Sequence, residues 1–235
     1  MTLQSKGRVI LALDVPTLAQ AREIVRRAAP HLAAVKIGNQ LFTAEGPSAV
    51  AAMREMGLQV FLDLKYHDIP NTVGQAVASA SKLGVWMVNV HASGGAEMMR
   101  AAAGVAGRPI VLGVTVLTSM DEAILQATLG TTRTLRGQVT HLARETQAAG
   151  LDGVIASPKE IRDIRGACGE RFLIVTPGVR PADAELGGQK RVMTPGEAVR
   201  AGADYVVIGR PILAAADPVE AARKIAEECD RVSVE

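Results

Sequence analysis

The stretch FLDLKYHDIPNT, residues 61–72, begins as an apolar strand and ends in a cluster of charges. Asp63, Lys65 and Asp68 follow one another closely, with His67 between the last two. A buried charge at the end of a strand is costly unless an opposite charge accompanies it. The role of these charges therefore depends on the fold that surrounds the strand.

Short apolar segments of the same kind recur along the whole chain. They are nearly continuous in Val, Ile and Leu, which is typical of parallel strands covered on both faces. Parallel strands also need connections long enough to contain helices. The eight segments are RVILALD (8–14), AAVKIG (33–38), LQVFLDL (58–64), VWMVNVH (85–91), PIVLGVTVL (109–117), LDGVIAS (151–157), RFLIVTPG (171–178) and DYVVIG (204–209).

The intervals between these segments carry helix signals. Apolar residues recur at helical spacing within residues 18–28 and again within 198–201. Pro158 and Pro195 stand where a first helical residue is expected. The sequence also predicts three capping boxes, formed by Thr17 with Gln20, Ser157 with Glu160, and Thr194 with Glu197.

Eight strand–helix units in 235 residues predict an α/β fold of the closed (β/α)8 TIM-barrel type, whose usual size is about 250 residues. No linker, low-complexity tract or charge block divides the chain, so we expect residues 1–235 to form a single domain. An open doubly wound sheet is the alternative. It would carry a glycine fingerprint after the first strand, whereas ALDVPTLAQ contains Pro16 and no GxGxxG.

The composition limits the class of function. The chain has 26 basic and 24 acidic residues and 3% aromatics, which does not fit a nucleic-acid-binding protein. Cys168 and Cys229 are far apart and indicate neither a disulfide framework nor a zinc site. The N-terminal apolar run is broken by Asp14, and no later run approaches membrane-spanning length. We expect a cytoplasmic protein that binds a small polar ligand.

Charged residues stand where the predicted strands end, and a TIM barrel has its active site at that end. Because side chains alternate, Asp63 and Lys65 should point into the barrel mouth while Leu62 and Leu64 face the helices. A single Asp–Lys pair could be an ordinary stabilising ion pair. Several charges at one mouth indicate function instead, since apolar residues would serve stability equally well. These charged residues are Asp14, Lys36, Asp63, Lys65 and His91.

The sequence resembles the orotidine 5′-phosphate decarboxylase family almost from end to end. The resemblance implies decarboxylation of orotidine 5′-monophosphate to uridine 5′-monophosphate, the last step of de novo pyrimidine synthesis, without a metal or organic cofactor. The motifs stand in the family's order, with spacings that suit eight barrel units. They are ALDV, VKIG, DLKYHDIPNT, VNVHASGG, VTVLTSM, TPGVRP, RVMTP and VIGRP.

The resemblance also implies roles for individual residues. Lys65 would stabilise a carbanion at C6 of the pyrimidine and then protonate it. The family is homodimeric, which implies that part of each site comes from the neighbouring subunit. The catalytic array would be Lys36, Asp63, Lys65 and Asp68. The other contacts implied are Asp14 and Lys36 to the ribose, Asp63 to the substrate carboxylate, Thr118 to the pyrimidine, and Asp68, Ile69 and Thr72 in the neighbour's site.

A phosphate site is predicted at the same end of the barrel. Barrels often hold phosphate with the loops after strands seven and eight, here TPGVRP and IGRP. Gly209 would let the backbone approach the ligand, and Arg210 would contact phosphate oxygens in pairs. Residues 177–193 form a long connection rich in Gly and Pro, which predicts a lid. Within it, Arg180 and Gln189 match phosphate ligands of the family.

Two other functions stay open from the residues alone. Metal-dependent sugar-phosphate enzymes of this barrel type, such as keto-gulonate-phosphate decarboxylases, also carry an Asp-x-Lys-x-x-Asp element, but with an acid on the second strand where this chain has Lys36. A non-catalytic nucleotide-phosphate sensor would keep the barrel and the phosphate site without turnover. His67 and His91 lack a recognisable metal-ligand spacing and are predicted to be structural.

Overall fold

The computed structural model describes residues 7–181 and 193–232. Its strands form one closed barrel in which sequential strands pair in parallel and the last pairs with the first. The predicted (β/α)8 barrel is therefore confirmed, and the open-sheet alternative is wrong. The strands are β1 (Val9–Ala12), β2 (Ala34–Gly38), β3 (Val60–Tyr66), β4 (Met87–His91), β5 (Ile110–Val114), β6 (Gly153–Ile155), β7 (Leu173–Pro177) and β8 (Tyr205–Ile208).

Helices follow the strands and cover the outside of the barrel. None in the described part of the chain is long and apolar enough to cross a membrane. The α-helices are α1 (Leu18–Ala28), α2 (Asn39–Glu45), α3 (Pro47–Glu55), α4 (Pro70–Lys82), α5 (Ala96–Ala103), α6 (Glu122–Leu129), α7 (Leu135–Ala148), α8 (Ile161–Cys168), α9 (Pro195–Arg200), α10 (Arg210–Leu213) and α11 (Pro218–Arg231).

The predicted helix starts have different outcomes. At α9, Thr194 and Glu197 form the complete capping box. At α1, the Thr17 hydroxyl accepts from the Gln20 N–H, which is one half of a box. The capping box predicted at Ser157 is wrong, because the chain first makes a 3-10 turn there and the Ser157 side chain makes no capping hydrogen bond.

Alternation along the strands separates two apolar layers. One fills the barrel interior, and the other lies between the strands and the helices and includes Leu62 and Leu64 as predicted. Towards the carboxyl ends of the strands, the inward-facing residues change from apolar to polar, which places the polar groups above a filled core. The pairs on β2, β3 and β4 are Ala34 with Lys36, Phe61 with Asp63, and Met87 with Asn89.

Strand β3 is irregular where its charges begin. Between Leu62 and Tyr66 it advances four residues while its pairing with β4 advances only two. Within this bulge Lys65 has a φ of 52°, the left-handed region, which no other non-glycine residue adopts in residues 7–181 and 193–232. The predicted inward direction of Lys65 is thus reached through a bulge and not through regular alternation.

Candidate active site

A cavity of about 290 Å³ opens at the carboxyl ends of the strands. Part of its lining is apolar and belongs to the cluster that fills the barrel, with Phe61, Val114, Ile155 and Val207 among the lining residues. Sequence reasoning did not select these, because nothing distinguishes them from other core residues before the fold is known. The predicted site residues that line the cavity are Asp14, Lys36, Asp63, Lys65, Thr118, Arg180, Gly209 and Arg210.

Four of these residues form a chain of alternating charge. Lys36 Nζ lies 3.1 Å from Asp14 Oδ1 and 3.2 Å from Asp63 Oδ2. Lys65 Nζ lies 2.6 Å from Asp63 Oδ1. Each buried charge therefore has an opposite charge within contact distance, as burial of ionised groups requires.

Burial and pairing oppose each other at the centre of this chain. Burial disfavours the ammonium of Lys36, but the carboxylates of Asp63 and Asp14 outweigh it and raise the pKa of Lys36 above its ordinary value. Burial likewise disfavours the carboxylate of Asp63, but Lys36, Lys65 and a hydrogen bond from Asn89 outweigh it and lower its pKa. Both groups are therefore ionised at neutral pH.

Small residues leave space for the buried ammonium. A Cβ at Gly38, two residues after Lys36 on β2, would lie only 2.9 Å from Lys36 Nζ. Gly209 is different, since a Cβ there would stand 3.4 Å from the Cβ of Ala12, an ordinary contact. The predicted reason for Gly209, close approach of a ligand to the backbone, stays a prediction.

Asn89 is the main polar residue of the site that sequence reasoning missed. Its side-chain NH₂ donates to Asp63 Oδ1 over 2.7 Å, and its oxygen accepts from the Lys65 backbone N–H over 2.8 Å. A signal for it existed in VWMVNVH, since an uncharged amide interrupts an otherwise apolar strand two residues after Met87.

Two guanidinium groups, those of Arg180 and Arg210, also line the cavity. Arg180 is 8% exposed, and its pKa is lowered by burial and by the positive charge of Arg210. Its backbone N–H donates to the carbonyl of Met193 over 2.9 Å. Two like charges near one another in a cavity favour an anionic ligand. Gln189, and with it most of the predicted lid, lies outside the described residues.

Three predicted site residues lie away from this cavity. Asp68 is exposed, and its Oδ1 accepts from the Ile69 N–H over 2.6 Å. Ile69 is 65% exposed, and Thr72 at the start of α4 is exposed as well. One chain does not bring them to its own pocket, and their predicted role in a neighbouring site stays a prediction.

The two predicted structural histidines lie beside the charged residues. The His67 and His91 rings are 5.3 Å apart, so they link the turn after β3 to the end of β4. Burial, the neighbouring His67 and the charge of Lys65 lower the pKa of the half-buried His91 from its ordinary 6.5, against a smaller opposite effect of Asp63. In residues 7–181 and 193–232, these histidines included, no group of three or more His, Cys, Asp or Glu side chains is placed to hold a metal ion.

The lowered pKa of His91 predicts a pH dependence of stability. As the pH falls below about 6.5, the unfolded chain binds a proton before the folded one does, so stability present above that pH is lost as it decreases. The loss is at most about 1.4 kcal/mol per pH unit for one proton. Urea-unfolding midpoints should therefore fall less steeply between about pH 7 and pH 5.5 in His91→Asn than in wild type. For each protein the midpoints are expressed relative to its own value at about pH 8, where imidazole is neutral. Equal slopes of midpoint against pH in the two proteins would contradict this expectation.

The fold and the site together define a class of protein. It is a (β/α)8 barrel with an ion-paired, cation-rich pocket at the carboxyl ends of its strands, suited to an anionic small molecule. A model of the orotidine 5′-phosphate decarboxylase / HUMPS family matches residues 7–225. The chain belongs to this family.

Individual relatives agree with the family assignment. An orotidine 5′-phosphate decarboxylase from Moorella thermoacetica is 51% identical over 239 residues, covering 98% of this chain and 95% of the relative. The crystal structure of orotidine 5′-phosphate decarboxylase from Lactobacillus acidophilus is 36% identical, with a TM-score of 0.84 over 96% of this chain and 100% of that chain. The crystal structure of orotidine 5′-phosphate decarboxylase from Pyrococcus horikoshii is 26% identical, with a TM-score of 0.78. The match covers 94% of this chain and 99% of that chain.

Proposed function

We propose that this chain decarboxylates orotidine 5′-monophosphate to uridine 5′-monophosphate, with Lys65 stabilising the C6 carbanion and then protonating it. The observation that carries this proposal is the position of the Lys65 ammonium in the pocket, 2.6 Å from the buried carboxylate of Asp63. Family membership and relatives about half identical over almost the whole chain support the overall reaction.

The chemistry needs a fixed positive charge. Loss of carbon dioxide breaks the bond between C6 and the carboxyl carbon and leaves an electron pair on C6, for which the pyrimidine offers no conventional sink. A nearby ammonium stabilises that pair by its charge and then forms the C–H bond by donating a proton. Lys65 is left neutral and regains its proton from solvent once the product leaves. Lys36 and Asp63 hold their charges throughout, because their pairing favours both ionised forms.

Repulsion between Asp63 and the substrate carboxylate is a smaller effect. Two like charges about 4 Å apart repel by roughly 4 kcal/mol at an effective dielectric constant of about 20. Very slow uncatalysed reactions need on the order of 20 kcal/mol of barrier reduction. Preorganised positive charge in a water-poor pocket must therefore contribute more than repulsion does.

The phosphate would bind between the two guanidinium groups. Arg180 and Arg210 bring like charges into one cavity, and a doubly charged phosphate would relieve their repulsion. Binding energy from this distant group can orient the ring at Lys65 and so contribute to the chemical step. Thr118 is available for the pyrimidine, since the helix that follows it, α6, is capped by Asp121 instead.

The geometry favours a reaction without a metal. In the metal-dependent barrel enzymes considered above, a cation would lie near the second and third strands, but here Lys36 Nζ lies between the carboxylates of Asp14 and Asp63. The ammonium occupies the space between these oxygens and would repel a divalent ion. A cytoplasmic location, which suits such an enzyme, is likewise part of the proposal.

A homodimer with shared sites completes the proposed array. Asp68 is needed beside Lys65 in the family's arrangement, yet in this chain it is exposed and lies outside the pocket. The neighbouring Ile69 exposes 65% of its surface, the highest value among the exposed large apolar side chains of the described residues, and a partner subunit would cover it. Asp68, Ile69 and Thr72 would therefore enter the pocket of the second subunit.

Loss of orotidine-monophosphate absorbance on adding the purified protein tests the proposed function. We expect turnover that is unchanged after treatment with a chelator, because the ammonium of Lys36 takes the place of a metal. Activity that disappears with the chelator and returns with magnesium would favour the metal-dependent alternative. Binding of the nucleotide without turnover would favour a sensor.

A further inference from the structure

Asn89 lies on β4 opposite the irregular part of β3 and has no exposed surface. A backbone N–H can only donate, so the side-chain oxygen of Asn89 must face the N–H of Lys65, which leaves its NH₂ for Asp63. The orientation of this amide is thus fixed by chemistry. The Asn89 side chain therefore contacts both residues of an ion pair, Lys65 through its backbone and Asp63 through its carboxylate. The charged atoms of that pair lie 2.6 Å apart.

The bulge in β3 explains why such a side chain is needed. Lys65 has a φ of 52°, a conformation that crowds the Cβ of an L-residue and persists only when its surroundings enforce it. A bulged residue also loses its partner in the strand ladder, and a buried N–H without a partner is unfavourable. The Asn89 oxygen replaces that partner over 2.8 Å.

We infer that Asn89 is a positioning residue for the proposed reaction, holding the Lys65 backbone and the Asp63 carboxylate so that the ammonium points into the pocket. This inference rests on the proposed role of Lys65. Asn89 is not one of the described residues that line the cavity. It therefore acts through Asp63 and Lys65 and not by touching the ligand.

Two substitutions separate the hydrogen bonds that Asn89 makes. Asn89→Ala removes both. Asn89→Asp has the same shape and keeps the oxygen for the Lys65 N–H, but once ionised it cannot donate to Asp63 and repels it. When protonated, the new carboxyl can donate again, and the adjacent negative charge of Asp63 raises its pKa into an accessible range. The other ionisable groups around Asp63 are Lys36, Lys65 and His91.

The expected result is a pH-dependent loss of kcat in Asn89→Asp. At about pH 8 kcat should be lowered at least about tenfold with KM little changed, since a hydrogen bond to a charged group is lost. Relative to wild type, kcat should recover as the pH falls towards about 5.5 and the carboxyl protonates. Asn89→Ala should lose at least as much activity and show no recovery. Thr146→Val, an isosteric change at an equally buried position of α7 that does not line the cavity, serves as the control and should keep the wild-type profile.

A second readout does not depend on activity. In Asn89→Ala, the pKa of the Asp63 carboxyl, followed by carbon NMR on protein labelled at aspartate, should lie higher than in wild type, because one donor to the carboxylate is gone. If wild type itself does not turn over the substrate, the proposed function fails while this titration still tests the geometry. An unchanged Asp63 pKa, a wild-type pH profile in Asn89→Asp, or parallel losses in both variants would overturn the inference. Failure of Asn89→Asp to fold would assign Asn89 to barrel stability and overturn it as well.

Discussion

Lys65→Ala is expected to lower kcat by about 10⁴-fold or more, because one side chain supplies both the electrostatic stabilisation and the proton. Either effect alone is typically worth about a hundredfold or more. The loss should appear in kcat far more than in KM, since Arg180 and Arg210 would still bind the phosphate. Steady-state measurement of orotidine-monophosphate consumption gives both quantities.

Two further variants make the interpretation of Lys65→Ala specific. Lys65→Arg keeps a positive charge but not a group that readily gives up a proton, so it should also be strongly impaired and show whether charge alone suffices. Lys224→Ala removes an exposed lysine of α11 that is paired only loosely, at 3.8 Å, with Glu220, and it should leave the rate unchanged. Activity of Lys65→Ala within tenfold of wild type would refute the role proposed for this residue.

Mixing two inactive variants, Lys65→Ala and Asp68→Ala, is expected to restore activity. If each site takes Lys65 from one subunit and Asp68 from the other, a mixed dimer contains one intact site and one that lacks both groups. Equal mixing with random exchange makes half of the dimers mixed, so roughly a quarter of the wild-type activity per site should return. Against parents that are nearly inactive, this is a large gain.

The mixing experiment depends on demonstrated exchange of subunits. Native mass spectrometry of the two variants, one of them isotopically labelled, shows whether mixed dimers have formed. A mixture that stays inactive although mixed dimers are present would place Asp68 outside the neighbour's site. A protein that is monomeric under assay conditions and fully active would refute the shared site altogether.

The barrel was predictable because each strand carries its own signal. Strands covered on both faces are apolar throughout, and this local pattern located all eight of them. The predicted ends of the strands were less accurate than their number. PIVLGVTVL (109–117) predicts a strand, but β5 ends at Val114, and Val116 and Leu117 instead line the cavity. An apolar residue in a pocket wall and one in a strand look alike in sequence.

The charged residues of the pocket were predictable for a related reason. Lys36 and Asp63 interrupt apolar segments near their ends and are buried, and burial of such groups without a function is unfavourable. Asp14, which ends the first segment, is exposed but pairs with Lys36. Arg180 and Gln189 had no comparable signal, because polar residues are common in long loops, and they were selected only through the family resemblance.

The sequence by itself determined the number and direction of the strands, the end of the barrel that carries the charges, and the alternation of their signs, because all of these follow from local patterns of apolar and charged residues. Only the tertiary structure decided how Lys65 reaches the pocket. Its left-handed backbone, the bulge in β3 and the double contact of Asn89 arise from the register between two neighbouring strands. Such a register depends on contacts between residues 24 and 26 positions apart, which no local pattern encodes.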